Sequence, residues 1–134
     1  MDQNTAFTSS VRRIGAYLGW FGETIKAVES FIEKTQMNWF IRLRLKWHLR
    51  TMKKAFKAES KDLLRVKDAL SEELYKTFSN GEDRTSVTDF LEMCSQVDHL
   101  VEPLFITRHE KFIPVHSMLI GVTSALSGMR RREV

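Results

Sequence analysis

Cysteine, proline and glycine are all scarce in this chain, and each scarcity removes a class of structure. Of 134 residues one is cysteine, Cys94. A single thiol closes no intrachain disulfide, so the stapled frameworks of small secreted domains are excluded and a reducing, cytoplasmic setting is expected. Only Pro103 and Pro114 remove a backbone donor. The six glycines are bunched, with three at Gly15, Gly19 and Gly22. So few turn formers among many Lys, Glu, Leu and Met favour helices over sheet.

Other absences narrow the function. No internal repeat of about 20 to 50 residues is found, and no low-complexity tract. Met1 to Ser10 has no apolar core region, so no secretory leader is expected. The glycine-containing stretch GAYLGWFG lies inside a helical pattern without the preceding strand that a dinucleotide site needs. The longest charge-free run, Phe112 to Met129, is about the minimum length of a membrane span. It holds Pro114, His116 and four Ser/Thr, which lower its hydrophobicity and make it a buried core helix.

What remains is the composition of a globular protein, 43% hydrophobic and 28% charged, in one domain of residues 1–134 with 1–8 polar and flexible. The fold class read from periodicity is all-α: an antiparallel bundle of four to five helices. Ser9 or Ser10 caps a first helix with the stripe Val11, Ile14, Leu18, Phe21, Ile25, Val28 and Ile32. Gly15, Gly19 and Gly22 lie beside that stripe and call for the close approach of another helix backbone. A second helix carries Ile41, Leu45, Leu49, Met52 and Phe56, then Leu63, Val66, Leu70 and Leu74. Glu59 falls where this seam needs an apolar residue. A continuous helix over 38–78 would be about 60 Å long, so either a kink near residues 59–61 or one long helix protruding from the body is expected. Ile41 to Arg50 also alternates apolar and polar like a strand, but no second run in the chain offers it a partner. Asn80-Gly81 marks a turn, and a third helix opens at Thr85 or Ser86 with Val87, Phe90 or Leu91, Cys94, Val97, Val101 and Leu104. Pro103 bends or ends it, and Pro114 starts a last helix with Val115, Met118, Leu119, Val122, Leu126 and Met129. The small residues Ser117, Gly121, Ala125 and Gly128 are placed to meet the glycines of the first helix.

Charge is unevenly spread. Residues 34–58 hold eight cations and no carboxylate, within a chain of net charge +4. Residues 82–110 hold seven acids against Arg84 and Arg108. On a helical projection Arg42, Lys46, Arg50, Lys53 and Lys57 fall in one arc of about 80°, which also holds Trp39, with Leu43 and Trp47 at its edge. Trp39, Arg42, Lys46, Trp47, Arg50, Lys53 and Lys57 are therefore the candidate partner- or anion-binding residues. Such a stripe grips nucleic-acid phosphates, lies on an anionic membrane surface, or pairs with the acids of residues 82–110.

Catalytic and metal chemistry is thinly represented. His99, Glu102, His109 and His116 are spaced to share a helical face, but the two prolines interrupt the register and no metal or other cofactor is expected. Cys94 lies on a seam as a small hydrophobe. Arg42 to His48 has Arg-x5-His spacing, which resembles the Arg-x4–6-His signature of HEPN ribonucleases, themselves small helical bundles. The resemblance covers one helix. It implies that Arg42 steadies phosphate charge and His48 acts as general acid or base. Leu43 departs from the pattern, because a polar residue usually follows the arginine in that family. Taken together, the residues point to a non-catalytic helical protein-interaction or scaffold module, self-associating or bound to a protein partner. The alternatives are nucleic-acid binding and peripheral membrane association through the face of residues 39–57.

Overall fold

The computed structural model describes residues 2–79 and 84–133, with the side chains of 84–86, 127 and 129–133 left undescribed. These residues form three helices, α1 (Gln3–Lys34), α2 (Trp39–Ser79) and α3 (Arg84–Glu133), and each packs on the other two. No strand occurs among the described residues. The Asn80-Gly81 turn lies outside them.

The direction of each helix follows from which residues meet. Moving forward along α1, its partners on α2 run backward: Tyr17 meets Glu59, Glu29 meets Lys53, and Ile32 meets Arg42. Its partners on α3 run forward: Ser10 meets Cys94, Arg13 meets Asp98, and Trp20 meets Phe105. The bundle is therefore up-down-up, with α2 antiparallel to both neighbours.

Each helix buries one stripe. On α1 it is Gln3, Ala6, Ser10, Ile14, Tyr17, Phe21, Ile25, Val28 and Ile32. The helix thus starts well before Ser9 or Ser10, and Ser10 is an interior residue whose Oγ donates to the Cys94 carbonyl at 3.3 Å. Tyr17 takes the core position expected of Leu18, which is only partly buried. On α2 the stripe is Leu45, Leu49, Met52, Leu63, Leu70 and Thr77, with Phe56 and Val66 partly buried.

Neither the kink weighed for the second helix nor the break expected at the prolines occurs, which reduces four or five helices to three. α2 runs for 41 residues through Glu59. The carboxylate there is not a gap in the seam, because Tyr17 and Arg108 bond it from the other two helices. α3 runs for 50 residues through both prolines. Its interior positions Phe90, Cys94, Val97, Val101, Leu104, Arg108, Phe112, Val115, Leu119 and Val122 keep spacings of three and four throughout. Pro103 and Pro114 sit on the opposite, exposed face. Each proline costs a helix interior about 3 kcal/mol. Burying side chains such as Phe112, Val115 and Val122 returns about 1.5–3 kcal/mol apiece, so continuing the helix wins.

The glycines were expected to let helix backbones meet, and they do not. A side-chain carbon built on Gly15, Gly19, Gly121 or Gly128 would touch nothing within 4 Å, and on Gly22 it would meet only the Phe56 ring, at 3.4 Å. The tight connection between α1 and α2 has side-chain caps instead. The Asn38 side-chain oxygen accepts the Phe40 N–H at 2.9 Å, the position of an N-cap.

Candidate functional site

The start of α2 presents two different surfaces. Its inner side, with Ile41, Leu45 and Leu49, packs into the bundle. Its outer side carries Trp39, Phe40, Leu43 and Trp47, which are between 55% and 70% exposed. At 3.6 residues per turn these four lie within an arc of about 100°. With Arg44 and His48 they line a groove of about 430 Å³. Beyond them Arg50, Lys54 and Lys57 share the same arc about one to three turns further along, and all three are exposed. The outward face of α2 is thus apolar and aromatic first, cationic second.

Lys46, Arg50, Lys53, Lys54 and Lys57 also rim a second groove of about 530 Å³ between α1 and α2, together with Arg42 and the acids Glu29 and Glu33. Not all of these cations are available to a partner. Arg42 donates to the carbonyls of Ile32 and Thr35, both at 3.0 Å, and so caps the C-terminal end of α1. Lys53 pairs with Glu29 at 3.0 Å. Among the described residues no ion pair engages Arg44, Lys46, Arg50, Lys54 or Lys57. Among the described residues no acid of α3 pairs with a cation of α2, and Asp98 pairs with Arg13 of α1 at 3.3 Å.

The structure therefore brings Trp39 and Trp47 onto one open surface, leaves Lys46, Arg50 and Lys57 exposed along the groove beside it, and commits Arg42 and Lys53 to α1. Sequence reasoning missed Phe40, Arg44 and Lys54, and left Leu43 at the margin. Their signal was present in the projection, but the arc ran from Arg42, which is a capping residue, to Arg50 and stopped short of them. Arg42 and His48 are not brought together: Arg42 faces the end of α1, while His48 lies beside Trp47 with ring centroids 5.1 Å apart.

The most concentrated electrostatics lie at the bundle centre. The Tyr17 hydroxyl donates to Glu59 Oε2 at 2.6 Å, and Arg108 Nη2 donates to Glu59 Oε1 at 2.7 Å. The Arg108 guanidinium also lies 5.0 Å above the Phe21 ring. Burial pushes the Tyr17 phenol well above its ordinary range, and the bond to the Glu59 carboxylate pushes the same way. Burial alone would lower the Arg108 pKa; the bond and charge of Glu59 outweigh it, so Arg108 stays firmly protonated. Beside this polar layer, Trp20, Phe21, Phe56, Phe105 and Phe112 pack ring against ring at 4.6–5.6 Å. Tyr17 also lines a groove of about 330 Å³ between α1 and α3, with Arg13, Asp98, Glu102 and Phe105.

Burial is also what raises the Cys94 thiol pKa. His109 stacks on Phe105 and His116 lies against Phe112. Among the described residues no group of three or more His, Cys, Asp or Glu converges for a metal. No helix among them is long and apolar enough to cross a membrane. No protein-family model, curated protein or solved structure matches this chain.

Proposed function

We propose that the chain is a non-catalytic helical interaction module whose working surface is the outward face of α2 from Trp39 to Lys57. One observation carries the reading: four large apolar side chains, two of them tryptophan, are more than half exposed within three turns of a single helix. Scattered apolar residues on a surface need no explanation, but a contiguous patch rimmed by polar groups marks an interaction site. Aromatic residues with neighbouring arginine are also the residue types that carry most binding energy. The bundle behind this helix is already packed through Leu45, Leu49 and Met52, so the patch does not contribute to the core and its exposure has a cost that only a partner offsets.

The ribonuclease reading has less support, because Arg42 is committed to the end of α1 and His48 faces elsewhere. A photoreactive phenylalanine analogue placed at Leu43 in cells tests the interaction reading. It should form adducts with a macromolecule, be it protein, lipid or nucleic acid. The same analogue at Glu72, an exposed site further along α2, serves as control. Equal adduct yields at the two positions reject the reading.

A further inference from the structure

We propose that the partner of this face is an anionic lipid bilayer, with Trp39, Phe40, Leu43 and Trp47 seated at the acyl boundary and Arg44, Arg50, Lys54 and Lys57 on lipid phosphates. The proposal rests on the interaction-face reading and names its occupant.

The chemistry of the face selects the partner. Tryptophan settles at the level of the headgroups, where an apolar ring and an indole N–H are both satisfied, and Phe40 and Leu43 beside it supply purely apolar anchors. The cations lie where phosphates would be: Arg44 flanks the anchors, and Arg50, Lys54 and Lys57 continue the same side of the helix. No carboxylate occurs between Lys34 and Ala58, and of the two α1 acids that share the groove with these cations, Glu29 and Glu33, the first is neutralised by Lys53. The face is a helix ridge held from behind by the bundle, which lets it lie flat on a plane with no ordering of the chain on contact. It lies on the bilayer and does not cross it, in keeping with the apolar run lengths of the described helices.

Other occupants fit less well. A single-stranded nucleic acid wants a basic track running alongside its stacking platforms. Here the aromatics come first along α2 and most of the free cations after them, and Leu43 offers no ring to stack on. An isologous contact with a second copy of this chain would set the cations of this face, which has no α2 carboxylate among them, against their own kind.

Flotation of the full chain with phosphatidylcholine vesicles, with and without roughly one-third phosphatidylserine, tests the assignment. The protein should rise with the anionic vesicles, stay behind with the neutral ones, and be released by salt. Brominated acyl chains in the anionic vesicles should quench its tryptophan fluorescence. The Trp39→Phe/Trp47→Phe variant should still float but lose the quenching, because its remaining Trp20 is packed between Phe105 and Phe112. Lys54→Ala/Lys57→Ala should lower the partition about fivefold per cation removed, and Leu43→Asp should abolish it. All these positions are exposed, and unchanged circular dichroism verifies the fold of each variant. Failure to float with anionic vesicles overturns the proposal, as does undiminished quenching in the variant that keeps only Trp20. A dimer mass in light scattering that Leu43→Asp abolishes also overturns it, as does salt-sensitive binding of an RNA or DNA oligomer without flotation. Adducts at position 43 without flotation would overturn the bilayer and leave the interaction reading standing; neither adducts nor flotation would remove both.

Discussion

Glu59 stands where the periodicity of α2 calls for a leucine, and two residues far away in the chain make it tolerable. Its side chain is 16% exposed and that of Arg108 is 11%, so neither charge is stable there alone. A buried pair is weak evidence for stability, because desolvation takes back most of the Coulombic gain, but breaking one is costly. Among the described residues Arg108 Nε finds no hydrogen-bond partner, so the layer is incompletely satisfied there. Glu59→Ala should therefore lower the unfolding free energy in urea by about 3–5 kcal/mol, since it strands Arg108. The triple replacement Tyr17→Phe/Glu59→Leu/Arg108→Met should leave stability unchanged or raise it. What the polar layer supplies is a register mark: only one alignment of the three helices brings Tyr17, Glu59 and Arg108 together. Tyr17 also carries a pH signature. The folded phenol holds its proton more tightly than the unfolded one, whose ordinary value is 10.0. Its contribution is whole below that pH and is lost as the pH climbs through the raised folded value. Thermal melts from neutral to strongly alkaline pH should show wild type losing stability above about pH 10. Tyr17→Phe should lose less over the same range, starting about 1–2 kcal/mol lower at neutral pH.

At the scale of the helix, local rules were overruled by what lay across the bundle. Proline inside a pattern and a carboxylate on a seam both read as breaks along the chain. Neither is a break once the third helix supplies Arg108 and a continuous apolar stripe. The all-α class and most core positions were legible because a three-and-four spacing is a local property, as at Ile14, Phe21, Ile25, Val28 and Ile32. The number of helices was not, because it depends on contacts between residues such as Tyr17, Glu59 and Arg108, far apart in sequence. The candidate surface was half legible for the same reason. Trp39, Trp47 and Arg50 could be placed on a face, but nothing local shows that Arg42 spends its guanidinium on the end of α1. The glycines make a prediction here. Gly15 and Gly19 are exposed, sit mid-helix, and have open space where a side chain would stand. Gly15→Ala and Gly19→Ala should each stabilise by about 0.5–1 kcal/mol, read as a rise in melting temperature by circular dichroism. Gly22→Ala should gain less, because the new methyl already touches the Phe56 ring.

Over the whole molecule, charge is arranged against the interests of folding. Lys46, Arg50, Lys53, Lys54 and Lys57 are three or four residues apart along one helix, and like charges at those spacings destabilise it by about 0.2–0.5 kcal/mol per pair. Among the described residues only Lys53 of these has an acid within pairing distance, Glu29 of α1. The acids that would relieve the rest are on α3, where Asp98 is turned toward Arg13 instead. A chain selected for stability alone would have placed a glutamate in this stretch, and stabilising changes of that kind commonly cost function. Lys54→Glu makes the argument measurable. It replaces the repulsive pairs with Arg50 and Lys57 by attractive ones at spacings of four and three, so the fold should gain about 1 kcal/mol at low ionic strength. Added salt screens exposed charges. The melting temperature of wild type should therefore rise with moderate salt, while that of Lys54→Glu should change less. The same substitution puts a carboxylate in the middle of the cationic face, so it should weaken flotation with anionic vesicles as it strengthens the fold. If Lys54→Glu neither raises the melting temperature nor flattens its salt dependence, the cations of α2 are not in conflict with folding. The case that they are kept for an external anion then falls.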